Sequence, residues 1–150
     1  MSDTKKSLPT IAVIFGGTGD LTKRKLAPAF YNLFLDGWMP EHFAMIGLGR
    51  TKTDDENYRQ HLCEGLSKFS RSGKPAKEAW EKFHDSIMYL QSNINDPASY
   101  EALAQKIQEI EEKWGTRANR LFYLSVAPDF IEPITVNLAN VGIADDVEKD

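Results

Sequence analysis

The sequence predicts an α/β domain built on a doubly wound parallel sheet with helices on both faces. Three observations carry that expectation. Short apolar runs bounded by turn residues recur along the 150 residues. Between them lie longer stretches whose apolar residues follow helical spacing. The first run ends in a glycine turn that leads directly into a helical pattern, the strand–turn–helix order that a ligand-binding βα unit needs.

The elements follow in order. Ile11, Ala12, Val13, Ile14 and Phe15 form a continuous apolar run that stops at Gly16. Such a run reads as a strand buried on both faces. A helix is expected over residues 20–36, with Leu26, Phe30, Leu33 and Phe34 on its apolar face and Gly37 as its stop. Pro28 falls inside it and should kink the helix or mark a restart, because proline lacks an N–H donor. A second strand is expected over residues 43–48. The polar stretch 51–55 then leads into a helix that buries Tyr58, Leu62, Leu66 and Phe69. After a loop over residues 70–75, a short helix carries Trp80 and Phe83, and a third strand covers residues 86–91. Asp96 and Pro97 make a good N-cap and first helical position. The helix that follows places Tyr100, Leu103, Ala104, Ile107 and Trp114 on one face and ends at Gly115. The fourth strand is expected over residues 121–126 and a last helix over residues 128–140, with Pro133 bending or shortening its first turn. The tail, residues 144–150, is acidic and without pattern.

Composition narrows the function classes. Apolar residues make up 41% and charged residues 27%, the balance of a soluble globular domain. No apolar run is long enough to span a bilayer, and residues 1–10 lack the apolar core of a signal peptide, so a cytoplasmic location is the default expectation. A net charge of −4 disfavours non-specific nucleic-acid binding. Cys63 is the only cysteine, so no internal disulfide can form. No metal site is expected.

Ligands of open parallel sheets bind at the carboxyl ends of the strands, which puts Gly16 and the residues after it at the site. Gly16, Gly17, Thr18, Gly19, Asp20 and Leu21 lie between a strand and a helix. Glycines let the backbone come close to a ligand, and the first helical turn offers unpaired N–H groups and partial positive charge to a pyrophosphate. This is the setting of a Rossmann-type dinucleotide site. Reading Gly17, Thr18 and Gly19 as the start of the usual fingerprint puts Thr22 where its third glycine would stand, holding helix and strand slightly farther apart. The plainer alternative is an ordinary tight turn. A phosphotransferase loop is a poor fit, since the turn lacks the Gly-Lys-Ser/Thr ending.

Arg50 points to the type of dinucleotide. NAD sites place an acid after the second strand to meet the ribose hydroxyl, whereas an arginine there accommodates the 2′-phosphate of NADP. Here Gly49, Arg50, Thr51 and Lys52 follow the strand, and no acid comes before Asp54. Arginine binds phosphate bidentately, and Thr51 can add a hydroxyl donor. The alternative is a solvated loop arginine. Lys23 and Arg24 read as a solvated face.

The run Gly16-Gly17-Thr18-Gly19-Asp20-Leu21-Thr22-Lys23-Arg24-Lys25-Leu26-Ala27-Pro28 resembles the first signature of glucose-6-phosphate dehydrogenases. Gly49-Arg50 and Asn119-Arg120-Leu121-Phe122-Tyr123-Leu124-Ser125-Val126-Ala127-Pro128 agree with it. The resemblance runs from about Ile11 to Leu138. It implies an NADP-binding Rossmann-type domain over residues 1–150, truncated from an enzyme whose large substrate domain is absent. That enzyme would oxidise glucose 6-phosphate to its lactone, the first step of the oxidative pentose phosphate pathway, and would be a homo-oligomer. Residue by residue, the resemblance implies that Gly16, Gly17, Thr18, Gly19, Asp20, Leu21 and Thr22 hold the phosphates. Arg50 and Thr51 meet the 2′-phosphate, and Asn93 and Ile94 flank the adenosine half. Tyr123, or the strand end around it, lies along the cofactor on the nicotinamide side, and Lys25 faces the sugar phosphate. Thr22 and Ala27 depart from the small and aromatic residues of the family pattern. No catalytic residue is expected within the chain, because none of His42, His61 and His84 matches the family's base. Weak NADP binding without turnover is the expectation. The alternative is a standalone NADP sensor or non-catalytic paralogue.

Overall fold

A computed structural model describes residues 8–69 and 75–143. Most of the expected 70–75 loop and the 144–150 tail lie outside them. The described elements are β1 (Thr10–Phe15), a π turn (Thr22–Leu26) continuing into α1 (Ala27–Leu35), β2 (Phe43–Gly49), α2 (Asp55–Phe69), α3 (Lys77–His84), β3 (Ile87–Gln91), α4 (Pro97–Trp114), β4 (Asn119–Leu124), a 3₁₀ turn (Pro128–Phe130) and α5 (Ile131–Asn140).

The four strands pair in parallel in the order β3-β2-β1-β4. Successive connections therefore run outward from β1 to β3, then cross back to place β4 on the other side of β1. That reversal opens a crevice at the carboxyl ends of β1 and β4. Alternation along the strands divides the core between the two faces. Ile11, Val13 and Phe15 pack with Ala44, Ile46 and Leu48 under α4 and α5, through Tyr100, Leu103, Ile107, Ile134 and Leu138. Ala12, Ile14 and Met45 pack on the opposite face with Phe30, Tyr31, Tyr58, Leu62, Leu66 and Phe83 of α1, α2 and α3. Every side chain of β1 is buried.

The expected interruption at Pro28 takes the form of a restart. Pro28 has no N–H, and its ring cannot sit against the carbonyl four residues back. The preceding turn widens to π geometry, with the Ala27 N–H on the Thr22 carbonyl, and α1 begins there. The apolar face of α1 is Ala27, Phe30 and Tyr31. Leu33, expected on that face, is 45% exposed, because it lies on the far side of the helix from Tyr31. Phe69 is also more exposed than expected, and the Arg24 guanidinium covers its ring at 4.8 Å.

Caps and stops act where the sequence places them. The Asp96 carboxylate accepts the Ala98 N–H at 3.0 Å, and α4 ends at Gly115. Pro133 lies within the first turn of α5, preceded by the separate 3₁₀ turn. The fourth strand starts earlier than expected and ends at Leu124, although the Ser125 N–H still reaches the Phe15 carbonyl at 2.9 Å. No helix among the described residues is long and apolar enough to cross a membrane.

One ion pair ties α4 to the start of β4. Arg120 donates twice to the Glu111 carboxylate, at 3.0 and 2.9 Å, and the Ala118 N–H adds a third bond at 3.0 Å. Both side chains are largely buried, at 15% and 13% exposure. Burial pushes the Glu111 carboxyl up, but the Arg120 and Ala118 hydrogen bonds and the charges of Arg120 and Arg117 outweigh it and hold the group below its ordinary value. A lowered folded-state value stabilises the fold above the unfolded value, roughly 4.3. The contribution is lost as pH falls through the folded value. Glu111→Gln is therefore expected to cost about 1–3 kcal/mol at neutral pH, and the gap from the parent chain should close on acidification. Urea unfolding across that pH range checks it, and a gap independent of pH would refute the assignment.

Candidate functional site

The crevice between β1 and β4 is a cleft of about 480 Å³. The carboxyl end of each strand contributes to it: Phe15, Gly16, Thr18 and Gly19 at the end of β1 and just after it, and Leu48, Gly49, Arg50 and Thr51 at the end of β2 and just after it. Ser92, Asn93, Ile94 and Asn95 come after β3, and Val126, Ala127 and Phe130 after β4.

The glycine turn owes its shape to crowding. Gly16 has φ of +84°, and a Cβ there would collide with the carbonyl oxygen of Ser125, just past the end of β4. A Cβ on Gly17 would come within 2.8 Å of the Gly47 Cα and 2.9 Å of the Leu48 nitrogen. Gly16 and Gly17 both donate N–H bonds to the Leu48 carbonyl, at 3.1 and 2.8 Å, and Gly19 donates to the Gly16 carbonyl at 2.9 Å. Thr22 is fully buried and donates its hydroxyl to the Gly16 carbonyl at 3.0 Å. Among the residues expected to hold phosphates, Thr22 thus faces inward and braces the turn from behind. The hydroxyl gives the helix a hydrogen-bonded hold on the turn at the fingerprint's third glycine position. Asp20 is exposed and pairs with Arg24 at 2.9 Å. Leu21 is 51% exposed.

Arg50 and Thr51 are exposed at the cleft wall. A polar notch beside them is lined by Arg50, Gln91, Ser92, Asn93 and Ser99. The two nearest downstream acids are turned to other tasks. Asp54 accepts the Asn57 N–H at 2.8 Å, capping α2, and Asp55 accepts the Tyr89 N–H of β3 at 2.8 Å. Neither belongs to the cleft lining.

Asn93 and Ile94 sit in the cleft wall with Arg50. The Asn93 side chain accepts the Asn95 N–H at 3.0 Å and its backbone N–H donates to Ser99 at 2.9 Å, so the β3–α4 connection is internally bonded. Tyr123 is placed differently from the expectation. Its ring meets Phe30 edge-on at 5.5 Å, on the α1 face of the sheet. Alternation along β4 turns it away from the cleft, and the strand end supplies Val126 and Ala127 there instead. Lys25 is exposed in the π turn, outside the cleft lining.

Lys23 corrects the reading of a solvated basic face. It is half-buried, and its stem and carbonyl lie where a Cβ on Gly65 would clash, so α2 packs closely on the π turn. Burial and then Lys23 push the neighbouring His61 down, against a smaller upward pull from Glu64. None of the three histidines lines the cleft. His42 stacks on Trp114 at 5.2 Å, and the His84 ring nitrogens lie 3.1 Å from Glu56 and Asp85. Among the described residues no group of acids, histidines and cysteine could hold a metal ion.

Sequence reasoning missed two supports of this site. Tyr58 is buried and donates its hydroxyl to the Gly17 carbonyl at 2.9 Å. Tyr89 donates its hydroxyl to the Thr51 carbonyl at 2.6 Å. Tyr58 reads in the sequence as a core aromatic of its helix, and Tyr89 is not singled out within the third strand.

Comparison with known proteins places this geometry in context. Residues 13–150 match the family model described as glucose-6-phosphate dehydrogenase, NAD binding domain. The chain is 39% identical over 130 residues to glucose-6-phosphate 1-dehydrogenase of Chlamydia muridarum (strain MoPn / Nigg), covering 87% of this chain and 26% of that protein. It is 35% identical over 139 residues to glucose-6-phosphate 1-dehydrogenase of Leuconostoc mesenteroides, covering 93% and 28%. A solved structure of a glucose-6-phosphate dehydrogenase in complex with its substrate glucose-6-phosphate superposes with a TM-score of 0.82 at 26% identity, covering 91% of this chain and 28% of that one. The chain spans about a quarter of the length of the curated relatives it matches.

Proposed function

Since the chain belongs to the family of glucose-6-phosphate dehydrogenase NAD-binding domains, we propose that it binds NADP as the coenzyme domain of an enzyme oxidising glucose 6-phosphate. One observation carries the coenzyme assignment. Arg50 stands at the wall of a cleft floored by a glycine turn, while Asp54 and Asp55 are both committed to backbone N–H groups elsewhere. A ribose hydroxyl would find no carboxylate there, and a 2′-phosphate would find a guanidinium.

The turn uses the N–H groups of Gly16, Gly17 and Gly19 to hold its own shape. The pyrophosphate is therefore assigned to the first helical turn beyond Thr18. Thr51 adds a hydroxyl beside Arg50, Asn93 and Ile94 take the adenosine side, and the β4 end around Val126 and Ala127 takes the nicotinamide side. Lys25, exposed just past the turn, is assigned to the sugar phosphate. Bound NADP supplies the hydride acceptor, and the residues named here bind and orient it. With all three histidines outside the cleft, no imidazole of this chain is placed to take the sugar hydroxyl proton.

Titration calorimetry with the purified chain tests the proposal. Saturable binding of NADP and clearly weaker binding of NAD are expected, with no NADPH formed when glucose 6-phosphate is added. Equal affinity for the two coenzymes would overturn the NADP assignment. Steady NADPH production would overturn the assignment of the proton acceptor to residues outside this chain.

A further inference from the structure

Beneath the cleft, two buried tyrosines from different elements lie against each other. The rings of Tyr58 on α2 and Tyr89 on β3 are 4.9 Å apart and inclined at 40°. Each hydroxyl reaches up to a different loop. That of Tyr58 holds the Gly17 carbonyl in the glycine turn, and that of Tyr89 holds the Thr51 carbonyl next to Arg50. Space is cleared for both. A Cβ on Gly47 would collide with the Tyr58 hydroxyl, and one on Gly49 would press on the Tyr89 hydroxyl at 3.1 Å.

The loop carrying Arg50 is pinned to β3 at further points. Ser92 donates its N–H to the Gly49 carbonyl at 2.7 Å, and Gln91 donates its side-chain amide to the Arg50 carbonyl at 3.2 Å. The Tyr89 N–H holds Asp55 at 2.8 Å. Tyr89 alone therefore fixes the loop on both sides of Lys52. Burial pushes both phenols above their ordinary value, so both hydroxyls stay protonated donors at neutral pH.

We propose that Tyr89 is a positioning residue for coenzyme selectivity: through the Thr51 carbonyl it sets the loop from which Arg50 meets the 2′-phosphate. Tyr58 does the parallel task for the pyrophosphate turn, which both coenzymes share. The proposal rests on the NADP reading above and assigns it a residue that touches no ligand. Two tyrosines of like burial and like bonding thus have separable effects. A long, flexible arginine gains most from a fixed loop when its target is one phosphate, because less side-chain freedom is then lost on binding.

The test measures NADP and NAD dissociation constants for the chain and for Tyr89→Phe, Tyr58→Phe, Gln91→Met and Arg50→Ala. Tyr89→Phe is expected to weaken NADP about fivefold while NAD stays within about twofold, the scale of one hydrogen bond. Tyr58→Phe should weaken both alike. Gln91→Met should move the ratio in the Tyr89→Phe direction by about twofold, and it gives a second reading if Tyr89→Phe folds poorly. A general loss of packing would move both coenzymes together, so the ratio separates positioning from damage. If Arg50→Ala collapses the ratio while neither Tyr89→Phe nor Gln91→Met moves it, this proposal fails and the NADP reading stands. If Arg50→Ala leaves the ratio unchanged, the NADP reading fails and takes the proposal with it.

Discussion

Gly16→Ala is expected to lower the stability of the chain by about 3 kcal/mol or more, with a fall in Tm on the order of 10 °C. Two costs combine. The residue sits at φ +84°, where an L side chain costs roughly 1–2 kcal/mol. The new Cβ would also collide with the Ser125 carbonyl, which is backbone and held by the Ser125 N–H bond to Phe15. Relief requires β4 to move away from β1 at the mouth of the cleft, and overpacking of this kind typically costs about 1–3 kcal/mol. The same movement would carry away Val126 and Ala127, so coenzyme binding should fall even at temperatures where the variant is folded. Circular-dichroism melting and NADP titration check both halves. A variant with parental Tm would show that β4 yields freely there.

Arg50→Ala is expected to remove most of the preference for NADP over NAD, about ten- to hundredfold, with little change in Tm. A charge-assisted hydrogen bond to a phosphate is worth roughly 1.5–3 kcal/mol, which sets that range. Arg50 is exposed, and among the described residues its hydrogen bond is made by its backbone carbonyl, so its side chain bears on the ligand more than on stability. NAD affinity should hardly change. The variant should not become a good NAD binder either, because Asp54 and Asp55 remain bound to the Asn57 and Tyr89 N–H groups. A reversed preference requires a new acid in the loop. Paired titrations of both coenzymes decide the matter, and an unchanged ratio would remove Arg50 from the site.

What the sequence made legible was local. The β1 run, the glycine turn, the Asp96 cap and the Gly115 stop each act through neighbours a few residues away, and the fold places them as read. The strand-end rule was equally legible for Gly16 and the residues after it, and Arg50, Asn93 and Ile94 line the same cleft. What stayed hidden was how far side chains reach and which way they turn. The Tyr58 and Tyr89 hydroxyls bond to carbonyls 41 and 38 positions away, a pairing no spacing announces. Thr22 reads as a donor to phosphate until its burial shows it bonded to Gly16. Tyr123 lies in the expected segment, but strand alternation points it at Phe30. Lys23 reads as solvated because its neighbour Gly65 lies far along the chain.

The division of the core by the sheet has a consequence for how this domain can change. Val13 and Ile14 are joined by a peptide bond, yet one belongs to the compartment under α4 and α5 and the other to that under α1, α2 and α3. Side chains in separate compartments share no packing partners, so substitutions well separated across the sheet are expected to combine additively. Drift in the helices over one face leaves the other face's jigsaw intact. The strands between are the shared wall, and the carboxyl ends of that wall carry the cleft. Either flank can therefore be rebuilt, by evolution or by a designer, while the binding surface is kept.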